Sequence, residues 1–597
     1  MEEADRAAYL AALSPGADID HSGTPFTRSL LNRLLDALCS PTTPGPQFGL
    51  AMFVGATFDG GAHFGGAVFN GTAAFDEAIF NGDVTFLHGA FAPGDSGSGP
   101  TFNGAIFNGI AMFHKMIFNG GAHFGLTAFN QSALFTETTF TSMSQFLGAT
   151  FADDASFRRT TFHDHASFYS TTFNGNATFD GTVFRGDAGF KKATFNSGAE
   201  FDGTIFNADA GFAEARFEAA PHLGPLVCGG TVNLDRAVFG GPVTVQMAPR
   251  ALSCRRTHWR STAALRLRYA EVDLAGAVLE YPVTLAAEPE PFADQHGGDL
   301  PELGLEDRDP GVRVQALSGV DAVHLALTDV DLSDCRFVGT VHLDQLRIEG
   351  RTVFSRPPVG WHRRGPVVLR WSQRRTLAEE HHWRAAAANR PAPGHQPSVR
   401  EWRPGPQGPA RPAGPDTIAA IYRQLRKALE DGKNEPGAAD FYYGECEMRR
   451  HDRTDTTWAE RILLTVYWAV SGYGLRASRA LAWLAAAMTA TVTVMVLWGI
   501  PVEAPKPTTV GRQVQAGQTL TLVTDVPDPV NPTGPLDERI TTERFEKSLR
   551  VLINSVIFRS SGQDLTTAGT YIEMASRLTE PVLLGLAVLA TRSRVKR

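Results

Sequence analysis

Residues 53–91 read FVGATFDGGAHFGGAVFNGTAAFDEAIFNGDVTFLHGAF, and the spacing of their phenylalanines decides the fold. Phe53, Phe58, Phe64, Phe69, Phe75, Phe80, Phe86 and Phe91 stand at gaps that alternate between five and six residues. The alternation runs on to Phe217, and 31 of the chain's 39 Phe lie between Phe48 and Phe217. An eleven-residue unit therefore repeats fifteen times, and a fixed short period marks a repeat protein before any other reading. Of the 30 residues that stand two before a Phe in this stretch, 19 are Ala and 6 are Thr. Asn, Gly and Asp fill the places between, as in Phe69-Asn70-Gly71, and these suit tight turns.

A helix does not fit this pattern. An eleven-residue helical repeat sets apolar residues three and four apart, and glycine every few residues would cost roughly 1 kcal/mol each. A flat sheet does not fit either, because a five-residue step sends alternate Phe to opposite faces. A chain that turns a corner every five or six residues does fit. Four such sides make a coil of 22 residues, and coils stacked at about 4.8 Å pair their backbones and set Phe over Phe. Phe53, Phe58, Phe64, Phe69, Phe113, Phe118, Phe157, Phe162, Phe201 and Phe206 are expected core positions of this kind. The pattern resembles the pentapeptide-repeat family in its Phe-centred variant, with Ala two before the Phe. The resemblance implies an all-β fold, a right-handed quadrilateral β-helix. The gap from Phe91 to Phe102 is eleven where six is due, so Ala92 to Pro100 reads as a loop with five inserted residues.

The flanks are less regular. In residues 1–47, Thr24-Pro25 is read as the start of a helix that gathers Leu30, Leu31, Leu34, Leu35 and Leu38 on one face, a cover for the open end of a solenoid. Residues 48–217 form the regular solenoid and hold 15 acidic and 7 basic residues. Residues 218–355 keep the spacing with Leu for Phe, as in Leu234, Phe239, Val245 and again Leu332, Phe337, Leu343, Ile348 and Phe354, with Val330, Cys335 and Val341 two before the first three of the latter set. An acidic loop, 286–311, interrupts them. Residues 356–415 are rich in Pro, Gly and Arg, with 11 Arg against 3 Glu, and read as a flexible basic linker. Glu379-Glu380-His381-His382 within it carries little weight as a metal site, since adjacent His lack the i,i+4 geometry of a helical zinc site. Residues 416–453 read as a helical hairpin resembling a single tetratricopeptide-type pair.

Residues 460–597 read as a membrane module. Ala480 to Ile500 holds 21 residues without a charge, about 31 Å as a helix and enough to cross a bilayer. Trp483 and Trp498 stand near its ends, and Ala482, Ala486 and Ala490 form a line of small residues. The segment 460–474 is too short to span and is placed along the inner interface, with Gly472-Tyr473-Gly474 as a turn. Residues 501–544 form an outer loop. A second span, 570–591, carries Glu573, Arg577 and Glu580 on one helical face; charges inside a span face a bundle interior or water, and the alternative is a helix that starts outside the bilayer and dips in. Six Arg in 449–479 and the basic Arg592, Arg594, Lys596 and Arg597 flank the spans on one side. The positive-inside rule then places both termini and the solenoid in the cytoplasm of a two-crossing cell-membrane protein.

The stretch 545–566, a helical stripe of Leu549, Leu552, Ile553 and Val556 that ends in a glycine-containing turn, followed by a span, resembles the pore module of two-helix potassium-channel-type proteins. The resemblance makes Arg559, Ser560, Ser561, Gly562, Gln563 and Asp564 the turn that family uses as its filter, where Thr-Val-Gly-Tyr-Gly-Asp would stand. It implies a pore lined by those residues with Glu573, Arg577 and Glu580. Arg559 at the start of the turn argues against cation selectivity.

Composition narrows the function classes. A net charge of −8 over 597 residues argues against nucleic acid as a partner. The five cysteines, Cys39, Cys228, Cys254, Cys335 and Cys446, are scattered and read as reduced thiols. The first thirty residues contain no signal-peptide core. There is no phosphate loop, GxSxG, HExxH or paired-cysteine motif, and His163-Asp164-His165 reads as a solvated solenoid step. The chain is accordingly expected to be no enzyme and to use no cofactor or metal. Two readings share one architecture: a membrane-anchored interaction or regulatory solenoid with a cytoplasmic protein partner, and a homo-oligomeric channel assembled or gated by the solenoid. A third is a DNA-mimicking, topoisomerase-binding rod, which the acidity of 48–217 permits.

Overall fold

In the computed structural model, residues 3–40, 43–93, 98–294, 297–364, 367–387, 401–406, 411–502, 506–511, 517, 519, 522–557 and 564–595 are described. The chain divides into two compact units, Met1–Ala413 with Arg423–Gly432, and Gly414–Tyr422 with Lys433–Arg597.

The first unit is a β-solenoid of about 13 turns. One face is a twelve-stranded parallel sheet that starts at Pro25–Phe26 and ends at Val278–Leu279, one strand per coil. The register gives the coil length directly. Phe107 pairs with Phe129, Phe129 with Phe151 and Phe151 with Phe173, each 22 residues on. Phe80 pairs with Phe107, five residues more, which is the insertion after Phe91.

Every one of the ten core Phe singled out above is buried. Rings at the same station stack, as Phe113 on Phe135 at 4.7 Å and Phe135 on Phe157 at 4.9 Å. Rings from opposite sides meet edge to face, as Phe124 with Phe135 at 5.5 Å and 86°. Both arrangements suit the aromatic quadrupole. Ala, at 19 of the 30 positions two before a Phe, leaves room for the neighbouring ring. Thr at that station buries a hydroxyl, and each one is satisfied. Thr127, Thr160, Thr171, Thr182 and Thr204 donate at 2.6–2.9 Å to the carbonyl of a Phe 25 residues earlier, and Thr138 does so to Phe113. A buried hydroxyl without such a partner is costly.

The alternation of five and six has a backbone cause. On the five-residue side the second residue after Phe lies in the left-handed region, and the third donates back to the Phe carbonyl, as Ala56 to Phe53 at 3.1 Å. Gly55, Gly104 and Gly148 suit that station, but Glu77, Leu126, Glu137 and Arg159 adopt it too, with φ between 54° and 58°. The six-residue side turns without a positive φ among its described residues, and the extra residue supplies the rotation. There Asp side chains accept from the next coil's backbone, as Asp83 from Ile110 N at 2.9 Å and Asp154 from Asn176 N at 2.8 Å.

Beyond Phe217 the stack continues through Phe239 to Trp259, 4.2 Å apart and fully buried. The coil shortens here: Phe239 pairs with Trp259 and Trp259 with Leu279, each 20 residues on. In the last coils the expected pattern is partly corrected. Leu332, Phe337 and Leu343 are buried, but Val341 is 49% exposed and Leu346 rather than Ile348 enters the core. Loop 286–311 packs Phe292, Leu300 and Leu305 against Val227, Ala248 and Tyr269. Glu302 fixes it, accepting from Arg268 Nε at 2.7 Å and Tyr269 OH at 2.7 Å.

Both ends differ from the sequence expectation. Coiling begins at Ala17–Asp20, which pairs with the strand Thr43–Met52, well before residue 48. Helix α1 spans Glu3–Ala12, and helix α2 spans Arg28–Ala37. α2 is capped by Thr27, whose Oγ1 accepts from Leu30 N, not by Thr24, which precedes a strand. At the other end, residues 356–415 are not wholly a linker. Helix α3, Ala378–Ala387, closes the solenoid. Glu379 accepts from the backbone N–H of Phe337 and, at 3.1 Å, of Val338, so it satisfies donors of the last coil. Glu380 is fully buried between Arg374 at 2.6 Å and Arg384 at 2.8 Å. His381 is buried and meets Thr376 Oγ1 at 3.0 Å. Pro-, Arg- and Trp-rich composition hid this cap because its core is polar and aromatic.

Candidate functional site

The second unit carries the candidate site on helices α5 (Glu435–His451), α6 (Trp458–Ser471), α7 (Ala477–Val494), α8 (Thr542–Ile557) and α9 (Thr567–Val595). A helix Pro415–Asp431, α4, precedes them, and Tyr422 from it meets Phe441 of α5 edge to face at 5.5 Å. Two stretches, Ala477–Gly499 and Thr567–Thr591, are long and apolar enough to cross a membrane. α7 ends in a π turn, Met495–Gly499, that brings Gly499 against Gly569. A Cβ on Gly569 would stand 2.2 Å from the Gly499 carbonyl oxygen, so only glycine allows this approach.

The two carboxylates of α9 turn inward, while Arg577 between them stays partly exposed. Glu580 is fully buried; Thr491 of α7 donates to its Oε1 at 2.8 Å and Ser576 to its Oε2 at 3.1 Å. Glu573 is buried and pairs with Arg577, one turn on, at 2.7 Å. Asp564 is exposed, and Arg559, Ser560, Ser561, Gly562 and Gln563 lie outside the described residues. Of the nine candidate pore residues, the structure pairs two, Glu573 and Arg577, and sets Glu580 apart from them on hydroxyls of the hairpin. The partners Thr491 and Ser576 were not foreseen. Their signal was Thr489, Thr491 and Thr493 in an otherwise apolar run: Thr489 and Thr493 bond their own helix, and only Thr491 reaches across.

α8 is held to the end of this hairpin by Arg544, whose guanidinium donates to the carbonyls of Val496 and Ile500 at 2.8 Å and of Pro501 at 3.3 Å. These are carbonyls a helix end leaves without intrahelical partners. Thr566 adds a bond to Trp498 O at 2.7 Å. Two pairs, Glu543–Lys547 and Glu546–Arg550, lie on the exposed side of α8, while Phe545, Leu549 and Ile553 form an exposed apolar stripe beside them.

Gly472-Tyr473-Gly474 is more than a turn. All three residues are left-handed, with φ of 55°, 58° and 71°. Tyr473 is 1% exposed and donates to Glu447 of α5 at 3.1 Å. Glu447 pairs with Arg450, which stacks on Trp468, and Arg479 of α7 covers the same ring. Trp468 donates to Tyr443 OH at 3.0 Å. The corner thereby fixes α5, α6 and α7 together, and burial pushes the Tyr473 phenol well above its ordinary value.

Among the described residues no group of His, Cys, Asp and Glu has the arrangement of a metal site. No curated protein and no solved structure is significantly similar to this chain. The family described as pentapeptide repeats (9 copies) matches residues 50–93, 124–172 and 168–216. That match falls on the Phe-stacked coils: these coils are pentapeptide repeats, within a first unit that is a β-solenoid.

Proposed function

We propose that this chain is a membrane-anchored scaffold whose solenoid offers a protein-interaction or regulatory surface. The carrying observation is Glu580. A pore-lining carboxylate turns to water, but this one has both oxygens satisfied by hydroxyls of its own hairpin. Polar groups spent inside the hairpin hold α7 to α9, which is the work of an anchor. Exposed apolar side chains on α7 and α9, among them Leu481, Trp483, Tyr571, Leu578, Val582 and Val588, fit a lipid-facing surface. The distribution of Lys and Arg favours a cytoplasmic solenoid. The ion pairs on α8 favour a helix lying in the interface over one dipping into the bilayer.

The test is conductance. Purified full-length protein in planar bilayers is expected to pass no current above the lipid background. A unitary current abolished by Arg577→Leu would establish the second reading, an oligomeric channel. That reading keeps one observation in its favour: Arg577 is half-exposed on the same face as Glu573.

A further inference from the structure

α6 does not lie flush against α9. Between them runs a groove of about 540 Å³, lined on one side by Leu463, Val466 and Val470 and on the other by Leu578, Val582 and Leu586. Leu463, Val466, Leu578 and Val582 are each more than half exposed, so this apolar wall continues onto the outer faces of both helices.

The lining is almost wholly apolar, which suits a hydrocarbon chain. A chain of roughly sixteen to eighteen methylenes, each about the 30 Å³ share of a water molecule, fills roughly 500 Å³. Charge selects the headgroup. Arg461 lies on α6 within one turn of the groove residue Leu464, is partly exposed, and has no side-chain partner among the described residues. A cation on an interfacial helix attracts anionic lipid.

We propose that this groove holds one acyl chain of an anionic phospholipid, with its phosphate at Arg461. The inference rests on the membrane reading above. The lipid would fill the gap under α6 and wedge that helix, and with it the Tyr473 corner, against α9.

The experiment uses full-length protein extracted from membranes in mild detergent. Native mass spectrometry is expected to find one anionic phospholipid retained per chain, and Val582→Trp to lower that occupancy at least tenfold. Arg461→Gln is expected to keep a lipid but lose the preference for anionic headgroups. Phosphatidylglycerol with a diazirine in its tail is expected to label peptides of α6 and α9 in the wild type, a readout that stands if Val582→Trp does not fold. Equal retention by wild type and a folded Val582→Trp, labelling spread over the whole hairpin surface, or a groove cross-linked to a second copy would each overturn the proposal. A chain absent from the membrane fraction would instead overturn the membrane reading beneath it.

Discussion

Thr491 and Glu580 stand on different helices, 89 residues apart in sequence, and the hydroxyl of one donates to the carboxyl of the other at 2.8 Å. Thr491→Val leaves Glu580 with Ser576 as its hydroxyl donor. The expected loss is about 1 kcal/mol of hairpin stability, in the range of membrane hydrogen bonds. Thermal unfolding in detergent measures it, and a Thr491→Ser variant is expected to restore the wild-type midpoint.

Leu126 is 74% exposed and holds φ at 57°, a conformation that costs a residue with a Cβ roughly 1–2 kcal/mol. Leu126→Gly is expected to stabilise the solenoid by about 1 kcal/mol. The converse change, Gly104→Val at the same station of the neighbouring coil, is expected to destabilise it by at least as much. Denaturant midpoints of the two variants check the signs.

A ladder of side-chain amides climbs one corner, from Asn130 to Asn108 to Asn81, and a second joins Asn196 to Asn174. Ala152 occupies the coil between Asn130 and Asn174 and is exposed. Ala152→Asn is expected to join the two ladders and add about 1 kcal/mol, read as a rise in unfolding midpoint. An unchanged midpoint would mean the amides are bonded to water as well as to each other.

Glu379 gives the solenoid cap a pH dependence. Burial pushes its carboxyl from an ordinary 4.5 up to about 7. A raised carboxyl favours the folded state while protonated, so its contribution is complete below about 4.5 and is lost as pH rises through about 7. His381 opposes this, since burial pulls its imidazole down to about 3. The difference between wild type and Glu379→Gln isolates the carboxyl. The variant's melting temperature is expected to gain on the wild type between pH 5 and pH 8, and a constant difference would exclude Glu379 as the source.

The regular coils were legible because Phe spacing, the small residue two before it and the turn residues agree with one another. The five-six alternation was visible in sequence, but its cause was not, since Glu77 and Leu126 hide a left-handed station that glycine would announce. The α3 cap was missed because Glu379, Glu380 and Arg374 look like surface residues until their partners appear. Likewise Glu573, Arg577 and Glu580 could be set on one face of α9 from spacing alone. Which way that face points depended on Thr491, and a pairing across 89 residues leaves no periodic trace.

The most direct measurement is alkaline carbonate extraction of membranes from cells producing the full chain, beside a variant in which Leu484 and Ala487 of α7 are changed to Arg. The native chain is expected in the pellet with integral proteins and the double variant in the wash. Native protein released with the wash would contradict a solenoid fastened through the bilayer by α7 and α9.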